Sequence, residues 1–162
     1  MAGISSEVSL VGTGLKLFAI LLVSLVAGTT FGIWQGYDPA GLPPEAFMLM
    51  HQGAVRGLNL LLPATAAVAI GLTILLAIRA RRNRPVLTAY ALAILLMIVA
   101  GLITRLANQP INAEVMTWSA GAIPAGWEAL RDSWWQWHVT RTIITIVAEI
   151  VLVLAVLFDR RY

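Results

Sequence analysis

The feature that most constrains this chain is a series of four long apolar segments, which cover residues 10–33, 58–78, 86–103 and 138–158. A helix needs about 20 apolar residues to cross the roughly 30 Å hydrocarbon core of a bilayer. Lipid offers no hydrogen-bond partner to an exposed backbone, so segments of this kind cross as helices. The sequence therefore predicts an all-α protein with four membrane spans.

The composition supports this prediction. Of the 162 residues, 59% are hydrophobic and only 12% are charged, whereas a soluble domain has about a quarter charged residues. The absence of cysteine excludes disulfides, iron–sulfur clusters and Cys-ligated zinc. No linker divides the chain, so we expect a single integral membrane domain over residues 1–162. Since membrane topology accounts for the basic residues, we do not expect nucleic-acid binding.

Four consecutive spans with a short basic turn at residues 79–84 predict a transmembrane four-helix up-down bundle. The positive-inside rule places this turn, together with Arg160 and Arg161, in the cytoplasm. We therefore expect an inner-membrane protein with both termini cytoplasmic and with segments 34–57 and 105–137 facing outward. These two segments contain every tryptophan of the chain: Trp34, Trp118, Trp127, Trp134, Trp135 and Trp137. We predict that they form an outward-facing aromatic-rich loop or cap, with residues 105–137 folded as a lid.

The first span carries two features that suggest how it packs. Lys16 interrupts the apolar run, and its long side chain could extend toward a membrane interface. Gly28, Gly32 and Gly36 recur at every fourth residue, a spacing that lets helices approach closely. We expect tight packing inside the bundle from these glycines, with a homo-oligomer interface as the alternative.

The second span is preceded by unusually polar residues. Gln52, Arg56, Asn59 and Pro63 follow a helical spacing that predicts one common face, with His51 beside it. Pro63 lacks a backbone donor, so we expect a kink there.

The fourth span has a similar polar stripe. His138, Arg141, Thr145 and Glu149 share one predicted helical face. Glu149 lies roughly 16 Å deeper in the membrane than His138. An ionised carboxylate is costly at that depth, so we expect a buried intramembrane acid that is protonated or hydrogen-bonded and faces the bundle interior.

The only two histidines, His51 and His138, thus lie at the outer ends of two spans, each near an arginine. Three kinds of site are compatible with this pair. They could be a base next to an enolate-stabilising arginine, a bis-histidine haem site, or a sparse metal site.

Two segments carry a family resemblance: residues 105–112, RLANQPIN, and residues 135–141, WQWHVTR. With the glycine-rich first span and the histidine before the second, they resemble the anthrone oxygenase-like family of small four-helix membrane proteins. The resemblance implies oxidation of anthrones to anthraquinones by molecular oxygen without metal or flavin. The expected partners are membrane lipid and a hydrophobic aromatic small molecule.

These residues can supply the chemistry that such a reaction needs. We predict His138 or His51 as the base, and Arg141, Arg105 and Arg56 as stabilisers of the anion. The predicted substrate-binding residues are amides, tryptophans and one arginine: Asn59, Asn108, Asn112, Trp118, Trp127, Trp135 and Arg56. No cofactor or metal is expected.

Two alternatives from other classes stay open. In the first, the chain is a haem- or quinone-binding redox subunit, with haem b or a metal ion between His51 and His138. In the second, it is a non-catalytic membrane subunit or a small proton-coupled transporter that uses Glu149.

Overall fold

The computed structural model describes residues 2–159, and all regular structure in that range is helical. The helices are α1 (Ala2–Gly36), α2 (Pro44–Leu58), α3 (Leu61–Arg79), α4 (Arg84–Ile103), α5 (Gln109–Val115) and α6 (Trp127–Phe158). A 3₁₀ turn, Pro39–Gly41, precedes α2, and a π-helical turn, Thr104–Asn108, joins α4 to α5. The predicted all-α class is confirmed.

Four stretches of the described chain are long and apolar enough to cross a membrane: Leu10–Gly41, Pro44–Arg79, Arg84–Val115 and Trp127–Phe158. Helix α1 packs against α3 and α6, and α4 packs against the same two helices. The four long helices therefore form a closed up-down bundle, as predicted, and the chain is a multi-pass membrane protein. We call its two ends the tryptophan end and the basic end, the latter marked by the turn at residues 79–84.

Segments 34–57 and 105–137 are more helical than predicted. Helix α2 occupies much of the first, while α5 and the start of α6 occupy much of the second, leaving residues 116–126 as the irregular connection. The helices persist because α2 and α5 bury apolar residues such as Phe47 and Val115 in one shared cluster. The aromatic-rich cap is thus built largely from helix ends, not from one long lid.

Two prolines determine where the long helices are interrupted. Helix α2 ends at Leu58 and α3 begins at Leu61, just before Pro63. Proline has no N–H to donate to the carbonyl four residues earlier, here that of Asn59, and its ring crowds that position. Pro110 follows the π-helical turn in the same way. Both interruptions lie at the tryptophan end.

The predicted packing of the glycine repeat is wrong. Gly28, Gly32 and Gly36 are exposed on the outside of the bundle, and a Cβ added to any of them would meet no atom within 4 Å. The buried face of α1 is formed instead by residues such as Val23 and Ala27. The repeat falls on the opposite side of the helix from these residues.

Lys16 also differs from expectation, because it is buried instead of reaching an interface. Its Nζ lies 3.2 Å from Oδ2 of Asp159 and donates to the Asp159 carbonyl at 2.7 Å. Tyr90 donates its hydroxyl to the same carboxylate at 3.3 Å. This cluster joins α1, α4 and the end of α6 at the basic end. Arg160 and Arg161, used above to predict orientation, lie outside the described residues.

Removing the shared acid of this cluster should destabilise the bundle. We expect Asp159→Ala to lower the free energy of unfolding by about 3 kcal/mol, because it removes the carboxylate that pairs with the buried Lys16 ammonium. Unfolding in detergent by titration with dodecyl sulfate, followed by circular dichroism, measures this change. The control is Asp132→Ala, which removes an exposed carboxylate that pairs with Arg131 and should cost less than about 1 kcal/mol. Equal effects of the two substitutions would contradict the assignment.

Candidate functional site

Two adjoining cavities open between the helices at the tryptophan end. The upper cavity has a volume of about 220 Å³ and is lined by α2, α5 and the ends of α1 and α6. The lower cavity, of about 540 Å³, extends between α1, α3, α4 and α6 toward the middle of the bundle. Six residues line both cavities and form the neck between them: Asn59, Leu62, Pro63, Thr104, Gln109 and Arg141.

Arg141 is the charged group at this neck. One guanidinium nitrogen, Nη1, donates to Oγ1 of Thr104 at 3.1 Å, and the other, Nη2, donates to Nδ1 of His138 at 3.0 Å. Its Nε is buried without a hydrogen-bond partner. No carboxylate of the described residues pairs with it, since the ion pairs found there are Lys16–Asp159 and Arg131–Asp132. A buried cation without an anion is costly, so this neck favours an anionic ligand.

His138 holds this arginine in place from behind. Its ring is completely buried, and its Nε2 lies 3.0 Å from the carbonyl oxygen of Thr30 on α1. A carbonyl oxygen can only accept, so Nε2 carries the proton, and Nδ1 is left to accept from Arg141. Both ring nitrogens are therefore engaged, and the imidazole is neutral.

His51, on α2, differs from His138 in that only one of its ring nitrogens is hydrogen-bonded. Its Nε2 lies 3.1 Å from Oδ1 of Asn112, and that oxygen also accepts from Nε1 of Trp134 at 2.8 Å. Because an indole N–H can only donate, the orientation of the Asn112 amide is fixed and His51 must donate from Nε2. The lone pair of the neutral ring is then on Nδ1, to which none of the described residues hydrogen-bonds. His51 lines the upper cavity.

Side-chain amides hold Asn112 in this orientation. Asn112 donates from Nδ2 to Oδ1 of Asn59 at 3.2 Å, and Gln109 donates to the same oxygen at 2.7 Å. Asn59 occupies the interruption between α2 and α3, and the other two residues lie on α5. The two proline-induced interruptions are thus joined by hydrogen bonds across the upper cavity.

The two histidines are connected through Trp134. Its indole stacks on His138, with ring centroids 5.0 Å apart, and meets the ring of His51 edge-on at 4.7 Å. A haem or metal between the histidines would need a lone pair from each ring. The hydrogen bonds of His138 to Thr30 and Arg141 leave it none, so the bis-histidine alternative does not fit this arrangement.

Comparison with known proteins identifies the family. The sequence profile of the family described as anthrone oxygenase matches residues 50–151, which run from α2 through most of α6. The chain belongs to the anthrone oxygenase family. The match contains His51, Asn112 and Arg141, while α1 lies outside it. No curated protein and no solved structure matches the chain.

Several of the predicted residues meet at the two cavities. His51, Asn59 and Asn112 line the upper cavity, and Arg141 lines both. Arg105 lines the lower cavity. In this member of the anthrone oxygenase family, His138 lies behind Arg141 and lines neither cavity.

Other predicted residues lie elsewhere. Trp118 and Trp127 pack with Phe47 in the apolar cluster of the cap, because their large surfaces fill the space between α2 and the connection to α6. Trp135 stacks on His138, with ring centroids 5.7 Å apart. The buried Asn108 donates to the carbonyl oxygen of Trp134 at 3.1 Å. Trp118, Trp127, Trp135 and Asn108 line neither of the two cavities.

The stripe predicted before the second span is also divided. Asn59 and Pro63 line both cavities, whereas the other two residues of the stripe line neither. Arg56 is exposed and lines neither cavity. Gln52 donates to the carbonyl oxygens of Val115 and Trp118 at 2.9 and 3.0 Å and so attaches α2 to the end of α5.

Glu149 lies at the contact between α6 and α1, and it lines neither cavity. It is half-buried and accepts a hydrogen bond from the hydroxyl of Ser24 on α1. The acid is therefore hydrogen-bonded between α1 and α6, outside the two cavities.

Three polar residues of the site were not predicted from the sequence. Tyr37 lines the upper cavity, and its buried hydroxyl has no partner. Thr104 and Gln109 line both cavities from the π-helical turn and the start of α5. Pro110 was a usable signal for the latter two, because a π-helical turn is frequent at functional sites. No sequence signal distinguishes Tyr37.

The hydrogen bonds predict the tautomer of each histidine. In ¹⁵N spectra of histidine-labelled protein, at a pH where both rings are neutral, both should be Nε2–H tautomers. Asn112→Leu should shift the resonances of His51, which loses its acceptor, and leave those of His138 nearly unchanged. An Nδ1–H tautomer at His51 would contradict the proposed free lone pair.

Proposed function

We propose that this protein is a membrane oxidoreductase that oxidises an anthrone-like aromatic compound with molecular oxygen and without a cofactor. One observation carries the proposal: the free Nδ1 lone pair of His51 and the unpartnered Nε of Arg141 belong to residues that line the same cavity. A base and an anion-binding group so placed suit a substrate that loses a proton and becomes an oxyanion.

The first step is proton removal. An anthrone has an acidic CH₂ group between two aromatic rings, and its anion is delocalised onto the oxygen of the opposite carbonyl. Nδ1 of His51 accepts this proton, a role that imidazole performs well near neutral pH. The imidazolium keeps its Nε2–H bond to Asn112, and the amide network keeps the ring in place.

The second requirement is stabilisation of the oxyanion. The Nε–H of Arg141 and the hydroxyl of Tyr37 are both buried donors without partners, and both residues line the upper cavity. Donors that are already positioned where negative charge develops lower the barrier without reorganisation. His138 acts as a positioning residue, because it binds Arg141 and has no lone pair left for a substrate proton.

The third step uses oxygen. The anion transfers an electron to O₂, and the resulting oxygen species bonds to the carbon that lost the proton. Loss of water then converts the former CH₂ group into a carbonyl. One oxygen atom of O₂ ends in the product and the other in water, so the oxidation needs no further reductant or oxidant.

The surroundings of the site suit an apolar substrate that arrives from the membrane. Leu58, Leu62 and Met50 line the upper cavity together with its polar groups. We propose that the tryptophan end faces outward in the inner membrane, with both termini cytoplasmic, and that the aromatic body packs near Trp134.

Substitution of the base tests the proposal. His51→Ala should lower kcat for anthrone oxidation by about 10²–10⁴-fold, the usual contribution of a positioned base, while KM changes little. Oxygen uptake and quinone absorbance in detergent-solubilised protein measure both constants. The matched control is Leu49→Ala, an exposed position of α2 that lines neither cavity, and it should keep the wild-type rate. A rate for His51→Ala within a few-fold of wild type would refute His51 as the base.

A further inference from the structure

The lower cavity is larger than the upper one and has no part in the chemistry proposed above. Along α3 it reaches from Leu62 to Ile70, and along α4 from Thr104 back to Met97. Seven or eight helical residues span about 10 Å. The cavity therefore continues well below the neck, toward the middle of the membrane.

Apart from the residues of the neck and Arg105, the lining of this cavity offers no hydrogen-bond donor to a ligand. Three threonines line it, and each donates its hydroxyl to a carbonyl oxygen three or four residues earlier in the chain, at 2.8–3.1 Å: Thr30 to Ala27, Thr104 to Ala100 and Thr145 to Arg141. Its other deep walls are aliphatic, with Val23, Val26 and Ile70 among them. Only an apolar part of a ligand fits such a space without losing hydrogen bonds.

The upper part of the lower cavity is positively charged. Arg141 and Arg105 both line the lower cavity, and no carboxylate of the described residues pairs with either of them. If the apolar chain of a ligand occupied the lower cavity, the head group of that ligand would therefore contact the two arginines. A head group that carries an oxyanion complements the positive charge of these arginines.

The lower cavity is also accessible from the side. Its lining includes exposed residues of two neighbouring helices, Ala67 on α3 and Gly101 and Leu102 on α4. A Cβ added to Gly101 would meet no atom within 4 Å, so the helices leave open space at this point. A chain that lies in the bilayer can enter there without crossing water.

We propose that the substrate is an amphiphile, with an acidic hydroxy-aromatic head in the upper cavity and a single apolar chain in the lower cavity. The chemistry of the head rests on the proposed function, whereas the chain rests on the shape and polarity of the lower cavity. A chainless tricyclic anthrone would use the upper cavity and the neck only, and would leave the lower cavity to lipid.

Binding of resorcinols with methyl, hexyl or dodecyl chains tests this proposal without turnover. Protein in nanodiscs is titrated anaerobically, tryptophan fluorescence reports binding, and empty nanodiscs correct for partition into lipid. The readout is the ratio of Kd for the methyl compound to Kd for the dodecyl compound. We expect a ratio of at least about tenfold for wild type, because the chain fills apolar space that only the long compound reaches.

A pair of matched variants locates the chain. Ala66 is half-buried and lines the lower cavity, whereas Ala64 on the same helix is exposed and lines neither cavity. Ala66→Phe should reduce the ratio to near one, and Ala64→Phe should keep the wild-type ratio. Ala66→Leu, a smaller change, should give an intermediate ratio if the larger one unfolds the bundle, which thermal unfolding reports.

Two results would overturn the proposal: a wild-type ratio near one, or an equal ratio in Ala66→Phe and Ala64→Phe. The test is separable from that of the proposed function. A high wild-type ratio without any oxidation would refute the oxygenase and leave the chain site intact. Oxidation of a chainless anthrone, together with a wild-type Kd ratio near one, would refute the chain site and leave the oxygenase intact.

Discussion

The constraint on which this site depends is a partly buried guanidinium to which none of the described residues offers a carboxylate. Arg141 is held by two neutral groups, Nδ1 of His138 and the hydroxyl of Thr104, and these fix its position without neutralising its charge. In a low-dielectric interior such a cation attracts an anion strongly. The neck between the cavities therefore suits an oxyanion.

The second requirement, a base that is free to react, is met by the two proline-induced interruptions. They bring Asn59 and the start of α5 together, and the amides there orient Asn112 so that it accepts from His51. His51 consequently presents its lone pair on the other nitrogen. The two histidines thus have different roles. Both ring nitrogens of His138 are hydrogen-bonded, to Arg141 and to a backbone carbonyl, whereas His51 is hydrogen-bonded only to the Asn112 amide.

The sequence was sufficient for the parts that follow from periodicity and composition. Long apolar runs predict spans, and the inner face of α6 from His138 to Glu149 follows from an uninterrupted helix. Prediction failed where tertiary packing decides. Arg56 was predicted to line the site from its helical spacing, but it is exposed and lines neither cavity. The sequence does not show whether the glycines of α1 lie inside or outside the bundle. It also does not show whether a tryptophan of the cap packs in an apolar cluster or lines a binding site; the fold decides both.

The most direct test of this account is the absorption spectrum of a bound anthrone in the absence of oxygen. The account predicts that wild-type protein shows the absorption of the anthrone anion at a pH where the free compound is neutral. Arg141→Gln should weaken that band, and admission of oxygen should convert it to the quinone. A bound anthrone that keeps its neutral spectrum and is nevertheless oxidised would contradict deprotonation and anion stabilisation as the basis of the reaction.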